Sequence, residues 1–120
     1  MTTTAEWRDG WYRVPYEVTW RDLDGVGHVN NAVYFTFFES ARIAYWLDLL
    51  EVERPGPDSI GFIVAHASCD FRAQLGLRQK IEIRVRVGEI RNSSFDFLYE
   101  IATEAGDLAA TGKVISVLFD

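Results

Sequence analysis

Hydrophobic positions along the chain follow two different periods. From Arg13 to Trp20 they alternate, with Val14, Tyr16, Val18 and Trp20 on one side and Arg13, Pro15, Glu17 and Thr19 on the other. A period of two predicts a half-buried strand. Pro15 has no N–H to donate, which suits a strand start or an edge. The pattern changes at Asn31. The run NAVYFTFFESARIAYWLDLL, residues 31–50, contains no Gly or Pro and is too long for an ordinary strand. It predicts one long helix, with Asn30 or Asn31 as N-cap. Thr36, Glu39, Ser40 and Arg42 form its one narrow polar stripe. A helix apolar on almost every side has to be covered by the rest of the protein.

After a loop at RPGP, Arg54–Pro57, four more strands are expected, at 61–75, 80–87, 94–102 and 108–119. In the first of them Ile63, Ala65, Ala67, Cys69, Phe71 and Ala73 share one face. His66, Ser68, Asp70 and Arg72 share the other. KIEIRVRV alternates throughout, and Phe95, Phe97, Tyr99 and Ile101 line one side of the next strand. Loops at Gly76, Gly88, Asn92 and Gly106 divide these strands, so neighbours are expected to pair antiparallel. The fold class is α+β: one antiparallel sheet of about five strands curled around a single central helix, in one domain over residues 1–120. An open sheet edge and the second sheet face still need cover, which dimerisation would supply.

Composition bounds the function. At 120 residues and 48% hydrophobic, the chain can bury a real core but has little room for a second module. A single cysteine rules out an internal disulfide framework and fits a reducing compartment. Cys69 lies on an apolar strand face and is expected to be buried and inert. Two histidines and one cysteine, far apart, give no zinc spacing, so no metal is expected. The start MTTTAEW lacks the basic and apolar regions of a signal peptide. With no run of about 18 apolar residues, no membrane span is expected, and the expected location is cytoplasmic. A net charge of −6 argues against a nucleic-acid partner. Residues 72–91 are an exception, holding Arg72, Arg78, Lys80, Arg84, Arg86 and Arg91 against Glu82 and Glu89. Either a small polyanion such as a nucleotide phosphate docks there, or the run is a solvated, basic strand face.

The chemistry concentrates in DLDGVGHVNNAVYF, Asp22 to Phe35, between the first strand and the helix. Asp22 and Asp24 are either turn and cap residues or reactive carboxylates. Gly25 and Gly27 allow positive φ or a close backbone approach. The first helical N–H groups, near Asn31 and Ala32, have no intrahelical partners and can polarise a carbonyl or hold an oxyanion. A carboxylate beside them can attack that carbonyl or deprotonate a water that does. Those are the parts of an acyl transfer on a reactive group such as a thioester. No GxSxG elbow and no supported Cys–His pair exists, which argues against Ser or Cys triads. His28 is either a base or substrate donor, or a loop histidine bonded to backbone. Glu39 either pairs with Arg42 at i,i+3 or faces a pocket. His66 reads as structural, and the four tryptophans as core or interface.

The segment WRDLDGVGHVNNAVYFTFFESAR resembles the signature of hotdog-fold acyl-CoA thioesterases of the 4-hydroxybenzoyl-CoA thioesterase type. Its pattern, D-x-D-x-x-G-x-V-x-x-A-x-Y followed by an acid and Ala-Arg, is met by Asp22, Asp24, Gly27, Val29, Ala32, Tyr34, Glu39, Ala41 and Arg42. The resemblance covers roughly residues 13–119 and speaks for fold and family rather than for substrate. It implies a hotdog, a sheet wrapped around a central helix, with homodimers paired edge to edge, homotetramers common, and active sites at the subunit interface. It implies hydrolysis of a fatty or small aromatic acyl-CoA to free acid and CoA, with no cofactor, since coenzyme A is part of the substrate. Asp24 would be nucleophile or general base, and the Asn31 N–H would polarise the carbonyl. His28 or Asn30 would orient water or substrate, with Gly27, Tyr34 and Glu39 also on the substrate side. CoA phosphates would lie near basic residues, for which the 72–91 run is a candidate.

The sequence departs from the pattern at two places. Asn31 stands where 4-hydroxybenzoyl-specific members have Tyr. HVNN is similar to plant fatty acyl-ACP thioesterases, which follow the Asp with an Asn two residues on and a His two further; His28 fits, but Val26 stands at the Asn position. An acyl-ACP thioesterase and a non-catalytic acyl-CoA-binding hotdog protein are the alternatives. A hydratase would want a His–Asp pair on the helix, and residues 31–50 hold no His.

Overall fold

The computed structural model describes residues 5–50 and 62–118. Six strands, β1 (Glu6–Arg8), β2 (Trp11–Glu17), β3 (Phe62–Phe71), β4 (Lys80–Ile90), β5 (Ser94–Thr103) and β6 (Leu108–Leu118), accompany one helix, α1 (Asn31–Leu50). They form a single sheet in the order β1-β2-β4-β5-β6-β3. Every neighbouring pair is antiparallel.

The sheet has six strands rather than about five. β1 is only three residues long, too short to show alternation. It is joined to β2 by Asp9 and Gly10, both at positive φ, 53° and 82°. An Asp-Gly pair with both φ positive is the two-residue turn that matches strand twist, so the signal was present in the dipeptide. β2 is also displaced from its expected range. Val18 still exchanges hydrogen bonds with the 78–79 backbone, but Trp20 enters a 3-10 turn, Trp20–Asp22, and is 72% exposed instead of facing the core.

The helix packs into the concave face of the sheet. Tyr34, Phe37, Phe38, Ala41 and Tyr45 are buried there, against Ile83, Val85, Phe97, Tyr99 and Ile101 from the middle strands. Phe38 stacks on Tyr99 with ring centroids 4.4 Å apart. Full burial of side chains of this size is worth about 1.5–3 kcal/mol each. Gly112, paired with Tyr99 on β5 and Cys69 on β3, lies directly under the Phe38 ring. A Cβ at that position would overlap the ring, so the absent side chain is what lets the helix come this close.

β3 corrects the expected face assignment. It ends at Phe71, because the Arg72 and Ala73 N–H groups both turn to the Ala109 carbonyl. A register shift between Val64 and His66 inserts Ala65 as an extra residue. Ala67, Cys69 and Phe71 therefore share the concave face with Val64, while Ile63 lies on the convex face with His66, Ser68 and Asp70. A one-residue slip moves every side chain beyond it to the other face. The expected RPGP loop, the first residue of the 61–75 strand and Phe119 lie outside the described residues.

The basic run at 72–91 divides on the convex face. Arg84 pairs with Glu82 at 2.8 Å and Glu100 at 2.9 Å, and Arg13 joins Glu82 at 2.7 Å. Burial raises the Glu82 carboxyl, but hydrogen bonds from Arg84 and Arg13 outweigh it and leave the group below its usual value. Arg91 binds Asp96 at 2.6 Å, and Arg86 lies 4.5 Å over the Trp11 ring. Half of the run is thus occupied by structural partners. Among the described residues, no helix is long and apolar enough to cross a membrane.

Gly112→Ala is expected to lower stability by about 1–3 kcal/mol through overpacking against Phe38. Urea unfolding would show it as a lower midpoint at unchanged slope.

Candidate active site

The loop between β2 and α1 is built as a small ladder. Leu23 bridges Val29, and His28 bridges Gly76. The Asp24 N–H donates to the His28 carbonyl at 2.8 Å, and the Val29 N–H to the Leu75 carbonyl at 2.8 Å. Leu75 is fully buried and anchors the ladder to the core. Asp22 accepts the Thr19 N–H at 2.9 Å and the Tyr16 hydroxyl at 2.7 Å on Oδ2, which is the turn role open to it from the sequence.

Asp24 is used differently. Its Oδ1 accepts the Val26 N–H at 2.9 Å and the His28 N–H at 3.4 Å, an Asx turn that orients the carboxylate. Gly27 closes this turn at φ 84°, donating its N–H to the Asp24 carbonyl at 3.3 Å; a side chain would be strained there. Among the described residues no donor reaches Asp24 Oδ2.

The two candidate caps also separate. Asn30 Oδ1 accepts the Ala32 N–H at 2.9 Å, and its carbonyl accepts the Val33 N–H at 2.9 Å, so Asn30 is the N-cap. Asn31 is the first helical residue, and its N–H has no partner among the described residues. The positive end of the helix dipole lies at this group.

Both groups border one open cleft of about 530 Å³. Asp24, Val26, His28, Val29, Asn30, Asn31 and Tyr34 form one side, and Phe71, Arg72, Ala73 and Gln74, just past β3, form the other. Tyr34 is 2% exposed. Its hydroxyl donates to the Ala73 carbonyl at 3.3 Å, and its ring meets Phe71 edge-on at 5.0 Å. Burial raises its phenol above the ordinary value, with the Cys69 side chain adding to the effect, so it remains a neutral wall and donor at physiological pH. A carboxylate oxygen and a helical N–H, both without partners among the described residues and both on residues that line one cleft, are suited to attack on a polarised carbonyl.

Of the residues singled out from the sequence, Asp24, His28, Asn30, Asn31 and Tyr34 line this cleft. Gly27 shapes the turn without lining it. Glu39 is exposed on α1, two turns further on, and is not brought to the cleft. Nor does it pair with Arg42 among the described residues: the Arg42 guanidinium donates to the Tyr99 hydroxyl at 3.0 Å. Burial pushes the Tyr99 phenol up to about 12 even with Arg42 opposing the shift. His66 lies on the exposed convex face. Cys69 is half-buried, its thiol pushed up to about 11 by burial and by Asp70, which leaves it a poor nucleophile at neutral pH. No cluster of three His, Cys, Asp or Glu that could hold a metal ion occurs among the described residues.

Gln74 was not visible as a site residue from the sequence, and Arg72 was singled out only as one cation of the 72–91 run, not as a neighbour of Asp24. The alternation through FRAQL continues as if the strand did, and their place at the cleft depends on the turn toward Ala109. Arg72 is in no ion pair among the described residues, and of the cations in the basic run it is the one that lines the cleft.

Comparison with known proteins gives a consistent result. Residues 18–120 match the profile of the Thioesterase-like superfamily. The chain is 26% identical over 115 residues to the acyl-CoA thioester hydrolase YbgC of Escherichia coli, covering 91% of this chain and 82% of that protein. Among solved structures it resembles a Thermus thermophilus thioesterase complexed with coenzyme A and Zn, at 32% identity and TM-score 0.77, over 90% of this chain and 83% of that one. It also resembles a putative acyl-CoA thioesterase from Xanthomonas campestris, at 31% identity and TM-score 0.79, over 90% and 92% of the two chains.

Asn30→Ala removes the cap side chain and is expected to cost about 1 kcal/mol. Chemical denaturation measures the loss, and Asn30→Asp is expected to recover most of it.

Proposed function

The chain belongs to the thioesterase-like superfamily, and from that premise we propose that it hydrolyses the thioester of a fatty or small aromatic acyl-CoA to free acid and CoA. The observation that carries this reading is the shared cleft, lined by Asp24 and Asn31, where Asp24 Oδ2 and the Asn31 N–H both lack partners among the described residues. The thioester carbonyl oxygen accepts the Asn31 N–H, so charge developing on it meets the positive helix end. Asp24 then acts in one of two ways. As nucleophile it attacks the carbonyl carbon, the C–S bond breaks, and CoA leaves as thiolate to take a proton from solvent; water hydrolyses the resulting anhydride. As general base it takes a proton from a water that attacks directly, and the same C–S bond breaks. His28 and the Asn30 amide border the attacking side and orient water or substrate. Tyr34 and Phe71 form an apolar wall for the acyl group, and Arg72 is placed to meet a phosphate of CoA. No cofactor enters the scheme, and the cytoplasm, where acyl-CoA is held, is the location it implies.

The working form in this proposal is a homodimer, with a homotetramer as a pair of such dimers. Among the described residues β3 is hydrogen-bonded on one side only, to β6, and its other edge is open. Ile63, Val64 and Phe71 are exposed along it. An open edge of ten residues is a template for a second copy, and a partner there would border the cleft, because Phe71 to Gln74 continue from the same strand.

A panel of acyl-CoA thioesters, with one carrier-protein-bound thioester included, tests the activity. Asp24→Asn is expected to lower kcat by about a hundredfold or more; turnover equal to the parent on every substrate would remove Asp24 from the mechanism. Val64→Lys on the open edge is expected to shift sedimentation from dimer toward monomer, since edge lysines oppose strand pairing.

A further inference from the structure

Tyr16 has a hydroxyl that the core does not need. Its ring packs 5.0 Å from Phe37, a contact that Phe would make equally well. The hydroxyl instead donates to Asp22 Oδ2 at 2.7 Å. The same oxygen accepts the Thr19 N–H at 2.9 Å and the Thr19 hydroxyl at 3.3 Å. Three donors converge on one carboxylate oxygen, Tyr16 from β2 and the Thr19 N–H and hydroxyl from the start of the 3-10 turn, so the same oxygen joins that turn to the sheet. Burial raises the Tyr16 phenol above its ordinary value, and the bond to Asp22 raises it further. The group therefore stays protonated, and a donor, at neutral pH.

Asp22 also works through its main chain. Its carbonyl accepts the Asn30 N–H at 3.0 Å. The side chain of Asp22 thus ties the loop to the sheet, and its carbonyl ties the loop to the helix cap. Between these points the Leu23–Val29 bridge and the Asp24 N–H bond to His28 complete the ladder. Asp24 lies two residues after Asp22, and Asn31 one residue after Asn30. Both of these cleft-lining residues are therefore suspended from the same clamp.

We propose that Tyr16 and Asp22 are positioning residues, which set the separation of the Asp24 carboxylate from the Asn31 N–H without touching substrate. The proposal rests on Asp24 being the reacting carboxylate. Neither Tyr16 nor Asp22 lines the cleft, so their effect falls on geometry in the transition state and not on substrate affinity. A reacting group displaced by a fraction of an ångström loses rate while binding is retained.

The test compares Tyr16→Phe and Asp22→Asn with the parent. Three quantities are measured: kcat and KM on the best thioester of the panel, thermal unfolding, and amide hydrogen exchange. Tyr16→Phe keeps the ring on Phe37 and removes one donor, so the fold is retained. In both variants kcat is expected to fall about tenfold, with KM within about twofold of the parent. Exchange at the Asp24, Val29 and Asn30 amides is expected to quicken, while the Val85 and Tyr99 amides of the sheet keep their protection. Unchanged exchange at the three loop amides in both variants would overturn the clamp. Quicker exchange spreading through the sheet with a lower melting temperature, or a change confined to KM, would reduce the pair to ordinary structural residues. Asp24→Asn is measured alongside: if that variant alone keeps full turnover, the reading of Asp24 is what has failed, and loop exchange still decides whether Tyr16 and Asp22 hold the loop.

Discussion

A twenty-residue helix with apolar side chains on nearly every side has to be enclosed. A single sheet covers one face of this one, and the approach is tight at Gly112, where the Phe38 ring occupies the volume a side chain would have taken. Phe38 then stacks on Tyr99, and aromatic contacts extend along the helix from Tyr34 with Phe71 to Tyr45 with Phe97. The curvature of the sheet, the depth of the helix and the location of its first turn all follow from that packing. Because the helix is held along its length, its N-terminus is delivered to a fixed place, beside the residues that follow β3.

What happens at that N-terminus is a matter of unsatisfied donors. The first turn of a helix presents N–H groups with no internal partner. Asn30 satisfies part of this demand through Oδ1 and its carbonyl, and the Asn31 N–H remains. Asp24 shows the same economy in reverse. One of its oxygens is committed to the backbone of its own turn, and the other accepts no hydrogen bond among the described residues. The arrangement fits thioester hydrolysis, in which little beyond a carboxylate and an oxyanion donor is needed.

The outer face of the sheet has a different physical character. Arg13, Glu82, Arg84 and Glu100 form a ladder of ion pairs across β2, β4 and β5. Partly exposed pairs of this kind contribute little stability each. They neutralise much of a sequence run that looks strongly basic when read as a line, leaving Arg72 to carry positive charge to the cleft.

The sequence by itself determined the helix, residue for residue, because twenty positions without Gly or Pro and with apolar side chains all round have few other solutions. It determined that strands surround it, and that the stretch from Asp22 to Phe35 forms a polar turn and helix cap, residues of which line the cleft, because a D-x-D turn before an asparagine cap is local chemistry. It could not assign β1, whose three residues show no period and whose partner is defined by a turn. It could not place Ile63, because a single bulged residue reverses the face of everything beyond it and leaves no mark in the alternation. Nor could it bring Arg72 and Gln74 opposite Asp24, or part Glu39 from Arg42 in favour of Tyr99. Those contacts join elements far apart in the chain, and they were decided only when the sheet closed around the helix and fixed which surfaces could meet.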